Sequence, residues 1–412
     1  LDDEELINGN AMFQMGTFVS ILLGTILGGI LIAIDGVGTQ YVSAVVITLS
    51  IIGTIFSTQV KKLKATSPDL KVNFGLIKPT LDIIKITKNN KSIWLSVLGI
   101  SWFWLMGAIL LSIFPVYSIN ILKSPESVTT LFLALFSIGI AIGAISCEKM
   151  SRGHLELGLV PIGSIGMTLF LLDLYFIGTP SFVIEGSFTT IETLLNNFSG
   201  IRIIFDLLMF SVFSGFFTVP LYTFIQHRGE SETLSRVIAG NNIMNALFMV
   251  GGSVMLMGIF AAGLSSVEVF LILAILNCLV ALYIYTVLPE FMWRLVCVLL
   301  TRIIYRYEIT GEANIPVSGP AVLTCNHVSF VDWLVIAAAI KRPARFVMHY
   351  SFLNIPIAKY FFKGVKVIPI AGRREVPEMV DQAFDKISEE LRDGSIVCVF
   401  PEGEITQDGK LT

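Results

Sequence analysis

Residues 325–333, Cys-Asn-His-Val-Ser-Phe-Val-Asp-Trp, combine the residue types that acid–base chemistry needs. His327 precedes Asp332 by five positions, between the apolar runs 321–324 and 334–340. That pattern reads as strand, turn and helix start. Five positions match one face of a regular helix poorly, so the two groups must meet across the turn. A carboxylate beside an imidazole fixes its tautomer and raises its basicity, as a general base requires. The same residues carry a plainer reading: Ser329-x-x-Asp332 before an apolar run is the pattern of a helix capping box. A second stretch, Phe400-Pro401-Glu402-Gly403, sets a carboxylate directly after an apolar run near the C-terminus.

The elements that must position these groups follow a long apolar region. The chain has 412 residues, 54% hydrophobic and 14% charged. Soluble domains carry roughly 25% charged residues, so most of this chain belongs in lipid. A net charge of −3 argues against nucleic acid as a partner. The five cysteines (Cys147, Cys278, Cys297, Cys325, Cys398) form no CxxC pair, and with four histidines they give no zinc constellation. The chain opens on Leu1 and an acidic run, with no secretory signal read there, and is expected to be an internal piece of a longer protein. Residues 290–412 hold 14 of the 28 Lys and Arg and 14 of the 31 Asp and Glu, which predicts a membrane part followed by a water-facing part.

Eight stretches reach the roughly 20 apolar residues of a bilayer span: 13–35, 38–58, 93–116, 128–147, 157–178, 201–225, 238–262 and 266–288. Lys61, Lys62, Lys64, Lys71, Lys78, Lys85, Lys88 and Lys91 crowd one loop; Lys149, Arg152, Arg228 and Arg236 lie in later alternate loops. The positive-inside rule puts these loops, and residues 290–412, in the cytoplasm. Gly24 and Gly28 have the spacing of close helix packing. Polar residues at membrane depth are candidates for a transport path: Arg202 and Asp206, four apart and able to pair on one face, and Asn241, Asn242 and Asn245. Asn242 and Asn245 share a face, and could equally make helix–helix hydrogen bonds.

Asn8-Gly9-Asn10-Ala11-Met12 before a glycine-rich span resembles the fifth helix of a major facilitator transporter of the lysophospholipid-transporter branch. Val219-Pro220-Leu221-Tyr222, Gln226-His227-Arg228-Gly229 and Gly240-Asn241-Asn242 resemble the same family, and the basic loop 59–92 resembles its central loop. The resemblance covers residues 1–289. It implies that the spans are helices five to twelve of a two-repeat fold, with the substrate bound between repeats.

Residues 290–306 are apolar with Arg294, Arg302 and Arg306 interspersed and read as an interfacial linker helix. Beyond it, Tyr307–Gly311, Ala321–Thr324, Arg345–Met348, the stretch to Ile370 and Ser395–Phe400 read as strands. Residues 377–393 read as an amphipathic helix with Met379, Ala383, Phe384, Ile387 and Leu391 on one side, stopped by Gly394.

This series resembles the glycerophospholipid acyltransferase family that includes 1-acylglycerol-3-phosphate acyltransferase. Asn326-His327 with Asp332 matches its His-x4-Asp motif, and Phe400-Pro401-Glu402-Gly403 its Phe-Pro-Glu-Gly motif. Gly372-Arg373-Arg374 resembles its arginine region with one extra residue, leaving open which arginine takes that role. Glu404-Ile405-Thr406 departs from the usual Thr-Arg-Ser and, with a transporter in front, resembles the 2-acylglycerophosphoethanolamine acyltransferase type. The chain stops before the family's last motif, so the domain is expected to be truncated.

The expected architecture is therefore multidomain: an all-α polytopic membrane domain (1–289), a linker helix (290–306) and an α/β acyltransferase domain (307–412). The resemblance implies catalysis by His327 and Asp332, substrate binding by Asn326, Arg373, Arg374, Glu402 and Gly403, no metal, and no bound cofactor. It implies an acyl-CoA or acyl-carrier-protein donor, a lysophospholipid acceptor and a place in the bacterial inner membrane. The alternatives are a lipid transporter with an inactive or lipid-binding appended domain, and an acyltransferase merely anchored by the membrane part.

Overall fold

The computed structural model describes all residues except 1–2, 33, 61–74, 76, 152–156, 185, 231, 288, 312–313, 317–318, 341, 357–358, 360–361, 363 and 407–412. Lys61, Lys62, Lys64, Lys71 and Arg152 thus lie outside the described residues. The chain forms two compact units, Leu1–Ala281 and Leu282–Thr412.

The first unit is helical: α1 (Asp3–Ile32), α2 (Gly38–Thr58), α3 (Ile77–Lys88), α4 (Lys91–Val116), α5 (Glu126–Ser151), α6 (Leu159–Ile177), α7 (Ile191–Leu195), α8 (Phe198–Arg228), α9 (Leu234–Ala261) and α10 (Ser266–Val287). Among the described residues eight helices are long and apolar enough to cross a membrane, and they coincide with the eight predicted spans. Helices are the form that leaves no backbone polar group bare in lipid. α4 ends in a π-helical turn, Tyr117–Ile121, directly after Pro115 removes a backbone donor.

α8 is the central post, packed on both α5 and α6. Glycines make that approach possible. A Cβ on Gly143 would lie 2.1 Å from the Val212 carbonyl oxygen, and one on Gly163 2.5 Å from the Phe217 nitrogen. The spacing at Gly24 and Gly28 does not do this: a Cβ there meets nothing within 4 Å, because that face of α1 is open. Spacing identifies a face that could be approached, and the partner decides whether it is. α3, read as part of a loop, is an amphipathic helix. Its Thr87 is buried against α9, where a Cβ on Gly240 would come 2.2 Å from the Thr87 hydroxyl oxygen.

The second unit holds α11 (Pro289–Ile304), β1 (Ala321–Thr324), α12 (Asp332–Ala339), β2 (Ala344–His349), a 3-10 turn (Tyr350–Asn354), β3 (Ile368–Ile370), α13 (Pro377–Arg392) and β4 (Ile396–Val399). The strands form one parallel sheet in the order β1-β4-β2-β3. β4 sits between β1 and β2, and its Ile396, Val397 and Cys398 are fully buried, as an inner parallel strand requires. α13 packs Ala383, Ile387 and Leu391 against Val397 and Ile368. Phe384, read onto that side, is exposed instead. Residues 307–311, read as a strand, form none.

α11 packs on α12, burying Cys297 and Thr301, so the segment read as a linker is part of this unit. Its Leu299, Leu300, Ile303 and Ile304 remain exposed. Because every strand runs the same way, all four carboxyl ends open on one edge. In open α/β sheets that edge is where ligands bind.

Candidate active site

β1 delivers Asn326-His327 and α12 begins at Asp332, so the turn between them folds the two groups onto each other. His327 Nδ1 lies 3.0 Å from Asp332 Oδ2. The same Oδ2 accepts the backbone N–H groups of Val328 at 2.8 Å and Ser329 at 2.9 Å. One carboxylate oxygen thereby holds the turn and the ring. The capping-box reading is half present: Asp332 reaches back to Ser329 N–H, while the Ser329 hydroxyl goes to Val331 N–H at 3.4 Å. With Nδ1–H donated to Asp332, Nε2 is left as a lone-pair acceptor, and it makes no hydrogen bond among the described residues. The ring is further fixed by stacking on Phe400, centroids 4.4 Å apart, and its backbone carbonyl accepts from Thr406 N–H at 2.8 Å. Neither anchor was foreseen from sequence. The sequence shows Phe400 as the end of a strand and the first residue of a motif, with nothing to place it under the ring.

β4 is the neighbour of β1, so Phe400–Gly403 emerges beside His327. Gly403 closes a turn by donating to the Phe400 carbonyl at 3.1 Å and has φ +71°. Its necessity is this left-handed backbone rather than close approach, since a Cβ there meets nothing within 4 Å. Both carboxylate oxygens of Glu402 are buried with no hydrogen-bond partner among the described residues. Behind them the Cys325 and Cys398 sulfurs lie 3.8 Å apart. The contact between the two sulfurs holds the Cys325 thiol below its ordinary value, against burial and the nearby charges of Asp332 and Glu402. Cys398 is pushed up by the same contact and by burial.

Arg373 and Arg374 occupy the exposed turn after β3, on the same edge. Three strand spacings separate β3 from β1, about 14 Å. Asn326 is exposed beside His327. Between the two ends stands a residue the sequence reading passed over. His349, at the end of β2, bonds Glu375 at 3.1 Å and Ser351 at 2.8 Å. Its signal was its place directly after a predicted strand.

In the first unit the candidate path residues divide. Arg202 bonds Asp173 of α6, through Nε at 3.1 Å and through a second, shorter contact, and does not pair with Asp206 on its own helix. Side chains four apart can pair, but the α6 carboxylate gives the guanidinium a two-pronged fit. Asp206 is buried. Asn245 accepts from Ser101 at 2.9 Å and is buried, as is Asn241. Asn242 is exposed, so it does not share a buried face with Asn245. Two stretches that resembled a transporter separately meet in space: Asn10 of α1 and Gln226 of α8 exchange side-chain amide hydrogen bonds at 3.0 and 2.9 Å.

Eight membrane-length helices, followed in the chain by a parallel sheet with an imidazole–carboxylate pair at its carboxyl edge, describe a multi-pass membrane protein with an α/β domain at its C-terminus. Residues 306–412 match the family model described as Acyltransferase. The N-terminal region is similar to lysophospholipid transporters. The chain is 25% identical over 248 residues to the lysophospholipid transporter LplT of Escherichia coli O157:H7, covering 58% of this chain and 54% of that protein. It is 26% identical over 245 residues to that of Serratia proteamaculans, with the same coverage. Over 108 residues it is 31% identical to the chloroplastic 1-acyl-sn-glycerol-3-phosphate acyltransferase LPAT1 of Arabidopsis thaliana, covering 26% of this chain and 30% of that protein. The chain thus spans about half the length of the transporters and under a third of the plant enzyme.

Proposed function

We propose that this protein moves lysophospholipid across the bacterial inner membrane and reacylates it. The first unit carries the lipid, and the second, on the cytoplasmic side, transfers an acyl group from an acyl-CoA or acyl-carrier-protein thioester to a free glycerol hydroxyl. The observation that carries the enzymatic part is the oriented imidazole: Nδ1 bound to Asp332 at 3.0 Å and Nε2 unbonded, beside the unpartnered Glu402 carboxylate.

In the proposed reaction Nε2 of His327 takes the proton of the acceptor hydroxyl as its oxygen attacks the thioester carbonyl carbon. Asp332 stabilises the imidazolium that forms. Collapse of the tetrahedral intermediate breaks the C–S bond, and the imidazolium returns its proton to the departing thiolate. The products are an ester and a free thiol. Glu402 accepts from a polar group of the acceptor, which its two empty oxygens favour. Arg373 or Arg374 receives the acceptor phosphate, with charge-assisted bonds across the width of the sheet edge.

The test is acyl transfer from a labelled acyl thioester to lysophosphatidylethanolamine by the full chain in proteoliposomes, wild type against His327→Ala. Loss of transfer with the circular dichroism spectrum retained supports the proposal. Unchanged transfer sinks the catalytic assignment and leaves a transporter with a lipid-binding domain. Transfer without lipid flipping in the same vesicles makes the membrane unit an anchor.

A further inference from the structure

We propose that the outer face of α3 is a docking surface for the headgroups of acidic phospholipids at one boundary of the bilayer. The inference rests on the multi-pass membrane fold, and on neither the transport reading nor the acyl-transfer reading.

The position of α3 comes first. Ser101, ten residues after Lys91 of α4, donates at 2.9 Å to Asn245, eleven residues after Leu234 of α9, so α4 and α9 begin at one level. Helix α9 has 28 residues. That is about 42 Å against a hydrocarbon core of about 30 Å, so each end of a centred α9 projects about 6 Å. Gly240, about 9 Å from the start of α9, therefore lies close to the hydrocarbon boundary. There it meets α3. Thr87 is 1% exposed, and a Cβ on Gly240 would come 2.2 Å from its hydroxyl oxygen. Trp94, in the first turn of α4, marks the same level, since indole rings collect at membrane–water interfaces.

The inner side of α3 is thus pinned, and its outer side mixes large aliphatic and basic groups. At 100° per residue Ile77, Lys88, Leu81, Lys85 and Lys78 fall within one arc of about 100°, turned away from Thr87. Ile77 is 77% exposed and Leu81 60%, and the three lysines are exposed with them. Asp82, the one acid of α3, borders the arc. Three lysines against one aspartate leave a charge of +2 on the helix. The neighbouring segment 228–236 carries two arginines and two glutamates and balances itself. The Lys88 ammonium sits 4.9 Å from the centroid of the Trp94 ring, which leaves Lys78 and Lys85 to reach outward.

An acidic protein would match the lysines and leave Ile77 and Leu81 unused. A bilayer surface uses both. The aliphatic side chains enter at the acyl boundary, the lysine stems lie along them, and the ammonium groups meet phosphate. Acidic headgroups then hold α3 more tightly than zwitterionic ones.

The experiment is hydrogen–deuterium exchange of the full chain in proteoliposomes, read on the α3 amides of residues 77–88. One set of vesicles is phosphatidylcholine alone, and the other is two parts phosphatidylcholine to one of phosphatidylglycerol. Opening of α3 must first leave the lipid surface, so binding slows exchange. Each lysine at an acidic surface is worth about fivefold, so Lys78 and Lys85 together predict exchange about 25-fold slower in the acidic vesicles. Salt at about 1 M should remove the difference, since it screens beyond about 3 Å. Lys78→Gln/Lys85→Gln should abolish most of it, Lys78→Arg/Lys85→Arg should keep it, and Leu81→Ser should reduce it. The α9 amides around Gly240 report folding in each variant, and the wild-type comparison with its salt dependence needs no variant.

Equal wild-type exchange in the two kinds of vesicle overturns the proposal. Slowing that survives unchanged in Lys78→Gln/Lys85→Gln puts the acidic-lipid contact elsewhere and overturns it as well. Slowing in phosphatidylcholine vesicles on addition of acyl-carrier protein, with none from phosphatidylglycerol, gives the face to an acidic protein instead.

Discussion

Asp332→Asn separates a proton-accepting His327 from one that is merely packed. Asp332 Oδ2 accepts three donors: the ring at 3.0 Å and the Val328 and Ser329 amides at 2.8 and 2.9 Å. Asparagine keeps one carbonyl oxygen for the two amides, so the turn survives. The exchange of a charged for a neutral acceptor costs about 1–3 kcal/mol. Two things are lost. The negative charge no longer stabilises the imidazolium. The asparagine NH2 also invites Nδ1 to accept, which moves the ring hydrogen onto Nε2, where the lone pair is needed. In serine proteases the equivalent change lowers kcat about 10⁴-fold with geometry intact. Here Asp332 is 14% exposed, so solvent takes up part of the lost charge, and the expected fall is about 10²–10⁴-fold. Initial rates of thioester-dependent acylation, with thermal melting as the folding control, give the answer. Because both residues serve one proton transfer, the His327→Ala/Asp332→Asn double variant should be no slower than His327→Ala. Asp332→Asn within tenfold of wild type in a folded protein would refute the reasoning.

Three further outcomes follow. Arg345 Nε lies 2.9 Å from Glu390 Oε2 and both are buried; Arg345→Ala leaves Glu390 with the Ser395 hydroxyl and the half-exposed Lys386, 3.9 Å from Oε1, costing about 3 kcal/mol, read as faster hydrogen exchange of the β4 amides. Burial alone would raise the Glu390 pKa, but Arg345, Ser395 and Lys366 outweigh it and hold it below the ordinary glutamate value. Its contribution is therefore present above the unfolded-state pKa and lost as pH falls through the folded one, and the acid slope of β4 protection should shrink in Arg345→Ala. Gly403→Ala meets no neighbour but must hold φ +71°, a strain of about 1–2 kcal/mol, so acceptor KM should rise and the second unit should melt a few degrees lower. Gly143→Val drives a side chain into the Val212 backbone and should abolish monodisperse protein on size exclusion, whereas Gly24→Ala and Gly28→Ala should leave it intact.

What was legible in the sequence divides by the range of the interaction. The eight spans were readable because lipid demands long apolar helices, a constraint carried by every residue in them. The His327–Asp332 turn was readable because its partners are close in the chain. Contacts set by distant partners were not. The Arg202 guanidinium had a carboxylate four residues away in sequence and bonded one 29 residues away, on another helix. Gly24 and Gly28 had the right spacing without a neighbour, while Gly143 and Gly163 had neighbours on α8. α3 was hidden because its lysines outweighed the apolar stripe that buries Thr87. Phe400 under the His327 ring depends on β4 inserting between β1 and β2, a strand order that no local pattern encodes.

Two buried carboxyl groups among the described residues have oxygens without a donor: Asp206 in the first unit and Glu402 in the second. A buried polar atom left unpaired costs free energy, so a fold that keeps one holds it for something that comes and goes. Their surroundings say what each can receive. Glu402 lies on a sheet edge beside an oriented imidazole, where a ligand hydroxyl or ammonium could donate to both oxygens. Asp206 lies inside a helical unit, one turn along α8 from an Arg202 that Asp173 already holds. Replacing Glu402 by Gln should therefore weaken acceptor binding, read as a raised acceptor KM, and leave lipid movement by the membrane unit unchanged. Asp206→Asn should alter lipid movement and leave the acceptor KM unchanged. If either variant disturbs both readouts, the two carboxyls do not serve separate ligands, and the division of labour between the units is wrong.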